Sequence, residues 1–315
     1  MLAPAKINLG LQVHHRRKPD GYHYLSSIFV PIDFGDGIEI EPAEQDQLET
    51  ENHLSGPAAA SFEQVSERGD LQSNLVWRVL DWTRPARRTA VRVRLIKRVP
   101  TGAGLGGGSS DAGTLLRLLA ESGLWNDSAA ELANLALRAG ADVPFFLHPE
   151  PALVTGIGER RRPVQLGTAF GLLALSDLQI ATAMAYSALK RDLQGDPPPE
   201  TLSGFSKSVE QALGRSDWKA ARILVNDFEE PVFKMHPILA RVKEHFYRNG
   251  ADYAALSGSG AVVYALFANS EARDVAQDFL RAPLAREGVQ LEPFAFWIPR
   301  GPGPSERQLF ETPGS

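Results

Sequence analysis

Residues 100–110 read Pro-Thr-Gly-Ala-Gly-Leu-Gly-Gly-Gly-Ser-Ser, with glycine at 102, 104, 106, 107 and 108. A backbone this rich in glycine can take positive φ and admit close neighbours, so successive amides can curl around an anion. Upstream, Val91, Val93 and Leu95 alternate with arginines as in an amphipathic strand. Downstream, Leu115, Leu116, Leu118 and Leu119 fit a helix. A strand, a glycine loop and a helix N-terminus in that order make a phosphate site, because the helix dipole adds to the free amides. The segment Pro100, Thr101, Gly102, Ala103, Gly104, Leu105, Gly106, Gly107, Gly108, Ser109 and Ser110 is therefore the expected nucleotide cradle. Ser109 and Ser110 are expected to cap a helix starting near Asp111, and to donate to phosphate or join a metal shell. The plainer reading is a flexible turn, but turns are usually punctuated by glycine rather than built from it.

Two better-known phosphate loops fit less well. Gly102, Gly104 and Gly107 satisfy the spacing of a dinucleotide fingerprint, yet that fold needs an acidic residue ending a second strand about twenty residues on. Here the chain near Asp127 enters a helical pattern, Ala129 to Arg138. A Walker loop needs Lys and then Ser or Thr after its last glycine, whereas Gly108 is followed by Ser109.

Outward from this loop, Ile7, Leu9, Leu11 and Val13 alternate with Asn8, Gly10, Gln12 and His14, the period of a strand buried on one face, with Lys6 at its start. A turn through Pro19-Asp20-Gly21 leads to strands over Leu25–Phe34 and Gly37–Glu41. The acidic stretch Glu41–Asp70 reads as surface loop or short hairpins, and a helix follows from Asn74. A helix over Glu131–Arg138 stops at Gly140, just before Asp142. Leu153–Val164, Gly171–Leu175 and Ala261–Phe267 read as strands, and Val209–Leu213, Trp218–Leu224 and Ile238–Arg248 as helices. The expected division is 1–165, 166–298 and a flexible, proline- and glycine-bearing tail, 299–315.

The 315 residues suffice for two modest cores, and 43% hydrophobic with 23% charged residues is an ordinary globular balance. A net charge of −5 argues against a general affinity for nucleic acid or anionic membrane. The absence of cysteine excludes disulfides, thiol nucleophiles and iron–sulfur clusters. His53, His148, His236 and His245 show no metal-ligand spacing, and His14-His15-Arg16-Arg17-Lys18 reads as a solvated charge run. With no signal peptide, lipidation motif or apolar run of spanning length, the expected location is cytoplasmic.

Pro100–Ser110 closely resembles the second motif of the GHMP kinases, and Leu256-Ser257-Gly258-Ser259-Gly260-Ala261 resembles their third. Pro4-Ala5-Lys6-Ile7-Asn8-Leu9, Asp20-Gly21-Tyr22-His23, Gly140-Ala141-Asp142-Val143-Pro144 and Gly156-Ile157-Gly158-Glu159 are similar to segments of one branch of that family, and the resemblance runs to about residue 270. It implies an α+β fold of two domains, an N-terminal nucleotide-binding domain and a C-terminal ferredoxin-like domain, with the site between them. It implies ATP-dependent phosphorylation, with Mg2+, of the tertiary 2-hydroxyl of 4-diphosphocytidyl-2-C-methyl-D-erythritol in non-mevalonate isoprenoid biosynthesis. By this resemblance Lys6 and Asp142 lie together at the attacking hydroxyl, Asp142 as general base and Lys6 orienting it. The chemistry agrees: a carboxylate beside Val143, Phe145 and Phe146 needs a partner, and opposite charges keep both groups ionised. The resemblance also places Tyr22 and His23 at the cytosine, by stacking and hydrogen bonds, Tyr186 as a second aromatic wall, and Asn8 near the methylerythritol. Asn74 and Lys97 fall near the nucleotide base or ribose, and metal ligands stay unassigned. Seen alone, Lys6 would be a strand-edge lysine, Asp142 a turn residue and Tyr186 a core tyrosine. A monomer or weak dimer is expected. The alternatives are a homoserine, mevalonate or sugar kinase, a non-catalytic nucleotide-binding regulator and, last, a dehydrogenase.

Overall fold

The alternating residues around Ile7 belong to one long strand, β1 (Leu2–Arg17), antiparallel to β2 (His23–Ala43), so Lys6 lies inside the strand rather than at its start. The structure, a computed structural model, describes residues 1–18, 20–54, 72, 74–191, 193–196 and 198–296. The expected tail 299–315, Pro19 of the first turn and residues 55–70 of the acidic stretch lie outside them. β2 merges the two strands expected on either side of Gly35. A side chain at Gly35 would put its Cβ 2.1 Å from the Ala3 carbonyl oxygen, so glycine lets β2 pass β1 without a break.

The remaining strands are β3 (Gln47–Asn52), β4 (Ala90–Lys97), β5 (Ala152–Thr155), β6 (Arg160–Pro163), β7 (Phe170–Ser176), β8 (Gln194–Gly195), β9 (Tyr253–Leu256), β10 (Val263–Phe267) and β11 (Val289–Ala295). The first sheet runs β3-β4-β2-β1-β8, with the β5–β6 hairpin on β2. β3 corrects the reading of Glu41–Asp70 as loop or hairpins, since it lies parallel to β4. Its register is fixed by charge: Arg92 pairs with Glu41 and Glu49, and Arg94 with Glu39 and Glu51, at 2.6–3.2 Å.

The helices are α1 (Leu75–Thr83), α2 (Gly107–Glu121), α3 (Ala129–Ala139), α4 (Val143–Leu147), α5 (Thr182–Ala188), α6 (Lys207–Gly214), α7 (Glu229–Met235), α8 (Pro237–Arg248) and α9 (Ser270–Ala285). Trp218–Ile223 is 3-10 rather than α-helical, and its buried Trp218 and Ala221 are three apart, the period of that helix. The second sheet, in order β11-β7-β10-β9, is antiparallel throughout. With helices after β7 and α9 after β10, this is the fourth-first-third-second order of a ferredoxin-like βαββαβ unit.

Ile7, Leu9, Ile28 and Val30 of the first sheet share a core with Leu173, Tyr264 and Leu266 of the second. Each such burial contributes about 1.5–3 kcal/mol relative to exposure. A separate core lies under α1, α2 and α3 on β4. Two-sided burial of β1 is the feature that positions the site. Among the described residues no helix is long and apolar enough to cross a membrane.

Candidate active site

β1 was expected to bury one face only, but Lys6 and Asn8 on its other face are also buried, roofed by two loops. One is the glycine loop, whose Gly102, Gly104 and Gly106 have φ of 73°, 77° and 71°. At Gly104 the conformation and the space agree, since a Cβ would stand 2.0 Å from the Ser257 carbonyl oxygen. The other loop joins β9 to β10. It docks on the first through Ser257 Oγ, which donates to Gly104 O at 3.0 Å, and through Val262 N to Ala103 O at 3.3 Å. Asn226 braces this loop from below, donating from Nδ2 to Leu256 O and Gly258 O at 2.8 Å each. Asn226 carried no motif, and a lone asparagine gives no sequence signal.

α2 begins at Gly107, four residues before the expected start near Asp111. Gly106 is its left-handed cap and offers no side chain, so the first-turn amides of Gly107, Gly108 and Ser109 have no intrahelical acceptor. Ser110 is buried and does not line the cleft, and its Oγ donates to Pro4 O at 2.7 Å, tying α2 to β1. Ser109 lines the cleft.

The Lys6 ammonium donates to Asn8 Oδ1 at 2.7 Å and to Gly104 O at 3.1 Å, and lies 4.9 Å from the Phe29 ring centre. Burial lowers its pKa, and the charge of Asp142 acts in the opposite sense. Asn8 is held in turn: Oδ1 also accepts from Gly258 N at 3.0 Å, and Nδ2 donates to Ser27 Oγ at 2.8 Å. Asn8 thus orients Lys6, and it also lines the cleft itself. Asp142 precedes α4, yet its side chain does not cap that helix and accepts no hydrogen bond from a described residue. The carboxylate is left to the cleft, where it faces Lys6 without a direct ion pair.

Lys97 lines the cleft and the cavity beside it, but its charge is already paired. Its ammonium is buried between Asp36 and Asp111, bonding both, the second at 2.7 Å. Burial alone would lower Lys97; the two carboxylates outweigh it and raise its pKa. Asp111 is pushed up to about 8 by burial, with Lys97 opposing and Asp36 adding to the shift. Its Oδ1 has no hydrogen-bond partner. Asn74 caps α1, accepting from Val76 N at 2.9 Å, and lines a cavity of about 270 Å³ with Lys97, Gly108, Ser176 and Leu178.

Tyr22 is 63% exposed, and neither it nor His23 lines the cleft that holds Lys6. Tyr186 joins the two places. Its ring lies 5.2 Å from that of His23 and 4.9 Å from Phe228, and it lines the Lys6 cleft. Burial, with Asp142 nearby, pushes its phenol up to about 12, so it stays protonated at neutral pH.

The Lys6 cleft, of about 400 Å³, also contains Gly102, Gly106, Gly107, Gly108, Thr182 and Gly258. A roomier cavity of about 1000 Å³ between β11, α9 and Arg98 holds neither Lys6 nor Asp142. The chemistry belongs to the smaller one, which combines open amides, an ammonium and a carboxylate. Among the described residues no three acidic or histidine side chains converge on a metal position. The Asp142 carboxylate and Ser109 hydroxyl are oxygens that suit magnesium only if phosphates and water complete its shell.

The family model of the GHMP kinases N terminal domain matches residues 74–150, and that of the GHMP kinases C terminal matches 209–286. A 4-diphosphocytidyl-2-C-methyl-D-erythritol kinase of Leptospira biflexa is 37% identical over 285 residues, covering 87% of this chain and 92% of the relative. One of Symbiobacterium thermophilum is 37% identical over 290 residues, covering 90% and 95%. A crystal structure of a 4-(cytidine 5'-diphospho)-2C-methyl-D-erythritol kinase superposes with a TM-score of 0.71 at 31% identity, covering 95% of this chain and 99% of the other. An L. major mevalonate kinase, at TM-score 0.68 and 16% identity over 95% and 96% of the two chains, shares the fold.

Proposed function

The chain belongs to the 4-diphosphocytidyl-2-C-methyl-D-erythritol kinase family of GHMP kinases, and from that membership we propose how its residues transfer a phosphoryl group from ATP to the 2-hydroxyl of that cytidyl ester. The open amides of Gly107, Gly108 and Ser109 hold phosphate oxygens, where the helix dipole favours negative charge. Asp142 Oδ receives the hydroxyl proton late in a loose transition state. Lys6 uses two of its three N–H bonds on Asn8 and Gly104, and the third orients the hydroxyl and offsets charge on the transferred group. Ser109 and Asp142 would hold magnesium together with phosphate oxygens and water, and the ion would supply further charge neutralisation. Tyr22 and Tyr186 are the aromatic walls for cytosine, and Asn74 stands at the nucleoside end. The two domains meet near residue 165, the reaction takes place in the cytoplasm where ATP is at hand, and the acting species is a monomer or weak dimer.

The observation that carries this reading is the meeting of Lys6, Asp142 and the uncapped start of α2 in one cleft. ADP release with ATP, magnesium and the cytidyl ester, beside homoserine, mevalonate and galactose, tests it. Turnover confined to the cytidyl ester is expected. Turnover of another alcohol instead would discard the substrate assignment, and ATP binding without any turnover would discard catalysis.

A further inference from the structure

Gly156-Ile157-Gly158-Glu159 forms the turn between β5 and β6 and lies outside the Lys6 cleft, yet the geometry gives three of its residues a definable task. Glu159 folds back over its own turn, and its Oε2 accepts from Ile157 N at 2.6 Å. Gly156, at φ 75°, leaves room for that carboxylate, with which a Cβ at 156 would collide. Gly158, buried and at φ 124°, abuts a different segment: a Cβ there would stand 3.2 Å from the Ala141 carbonyl oxygen. The turn is anchored on β2 as well, since Gly156 O accepts from Leu25 N at 2.8 Å.

Ala141 immediately precedes Asp142. The Asp142 carboxylate caps no helix and accepts no hydrogen bond from a described residue, so its aim into the cleft is set by its backbone. After Asp142 that backbone is held by α4 on α2, where a Cβ at Gly113 would stand 2.6 Å from Phe146 Cβ. Before Asp142, the β5–β6 turn backs Ala141.

We propose that Glu159 is a positioning residue for the transfer step: by fixing the β5–β6 turn through Ile157 N, it holds Gly158 against Ala141 and so keeps Asp142 aimed at Lys6. This rests on the reading of Asp142 as the general base. The task is one of geometry rather than charge. Glu159 lies 3.8 Å from Arg160, and side chains 28% and 51% exposed make an ion pair of little weight. Misplacing a reacting group by about 1 Å can cost about 100-fold in rate, so a slack turn is enough to matter.

ADP release by the full-length protein with ATP, magnesium and the cytidyl ester tests this on wild type, Glu159→Ala, Asp142→Asn and the double variant. A wild-type rate in Asp142→Asn would reject the reading of Asp142 and the proposal with it. In Glu159→Ala, kcat should fall about tenfold or more with KM for ATP unchanged. In the Asp142→Asn background the same change should cost nothing further, because the group being positioned is already disabled. A merely structural loss would lower both backgrounds by the same factor. Glu159→Gln keeps an acceptor for Ile157 N and should recover most of the rate. Gly156→Ala displaces the same carboxylate from the other side, should repeat the loss, and stands in for Glu159→Ala if that variant fails to fold. With Asp142→Asn impaired, an unaltered kcat in Glu159→Ala, equal losses in the two backgrounds, or a Glu159→Gln enzyme as slow as Glu159→Ala would each overturn the proposal.

Discussion

Lys6 Nζ lies 2.7 Å from Asn8 Oδ1, two residues along the same face of β1, and that oxygen also accepts from Gly258 N, 250 residues away in the chain. One side-chain amide therefore sets the lysine and ties the first sheet to the β9–β10 loop. Asn8→Ala strips an acceptor from both donors, each costing about 1–3 kcal/mol if left buried and unpaired. The expected result is a fall in kcat of about 10–100-fold with KM for ATP little changed, measured by ADP release. A rise in KM for ATP with kcat intact would show that Asn8 serves the nucleotide instead.

Asp142→Asn keeps the shape of the side chain and removes its basicity. Loss of a general base costs about 10²–10⁴ in rate, while ATP binding by the α2 amides should persist. Fluorescent-nucleotide titration beside single-turnover rates separates the two. Retention of more than a third of the wild-type rate would exclude Asp142 as the base.

The buried Asp111 yields a pH signature. Its pKa is raised by burial to about 8 in the folded protein against an ordinary 3.8, so between these values the folded state holds a proton that the unfolded state has released. Its contribution is therefore most favourable below about pH 4, declines as pH rises to about 8, and is level above that. The difference in Tm between wild type and Asp111→Asn should accordingly shift against wild type from pH 5 to pH 8 and flatten beyond. Parallel Tm curves across that range would mean that Lys97 keeps Asp111 ionised throughout.

Gly102 and Gly104 make a matched pair. Both have positive φ, but a Cβ at 102 meets nothing within 4 Å, whereas at 104 it strikes the Ser257 carbonyl oxygen. Gly102→Ala should cost about 1–2 kcal/mol from backbone conformation alone. Gly104→Ala should cost more and also reduce turnover, because the two loops that roof Lys6 must part. Urea denaturation with activity assays decides it, and equal losses at the two positions would show that the contact between the loops is immaterial.

Much of this protein was legible in the order of its residues. The glycine run, the apolar alternation of β1 and the stop at Gly140 before Asp142 are local signals, since backbone freedom and side-chain period act within a few residues. The β3 strand was missed because its residues are acidic and mostly polar; its pairing depends on arginines more than forty positions away in β4. The same limit governs the site. Spacing could name the glycine loop, and resemblance to a family could name Lys6 and Asp142, but neither could tell that Ser110 is spent on Pro4, that Lys97 is enclosed by Asp36 and Asp111, or that Asn8 Oδ1 holds the Lys6 ammonium. Those outcomes depend on which buried donor finds which buried acceptor. Because an unpaired polar group in the interior is costly, tertiary packing assigns the partners, and through them the roles of the side chains.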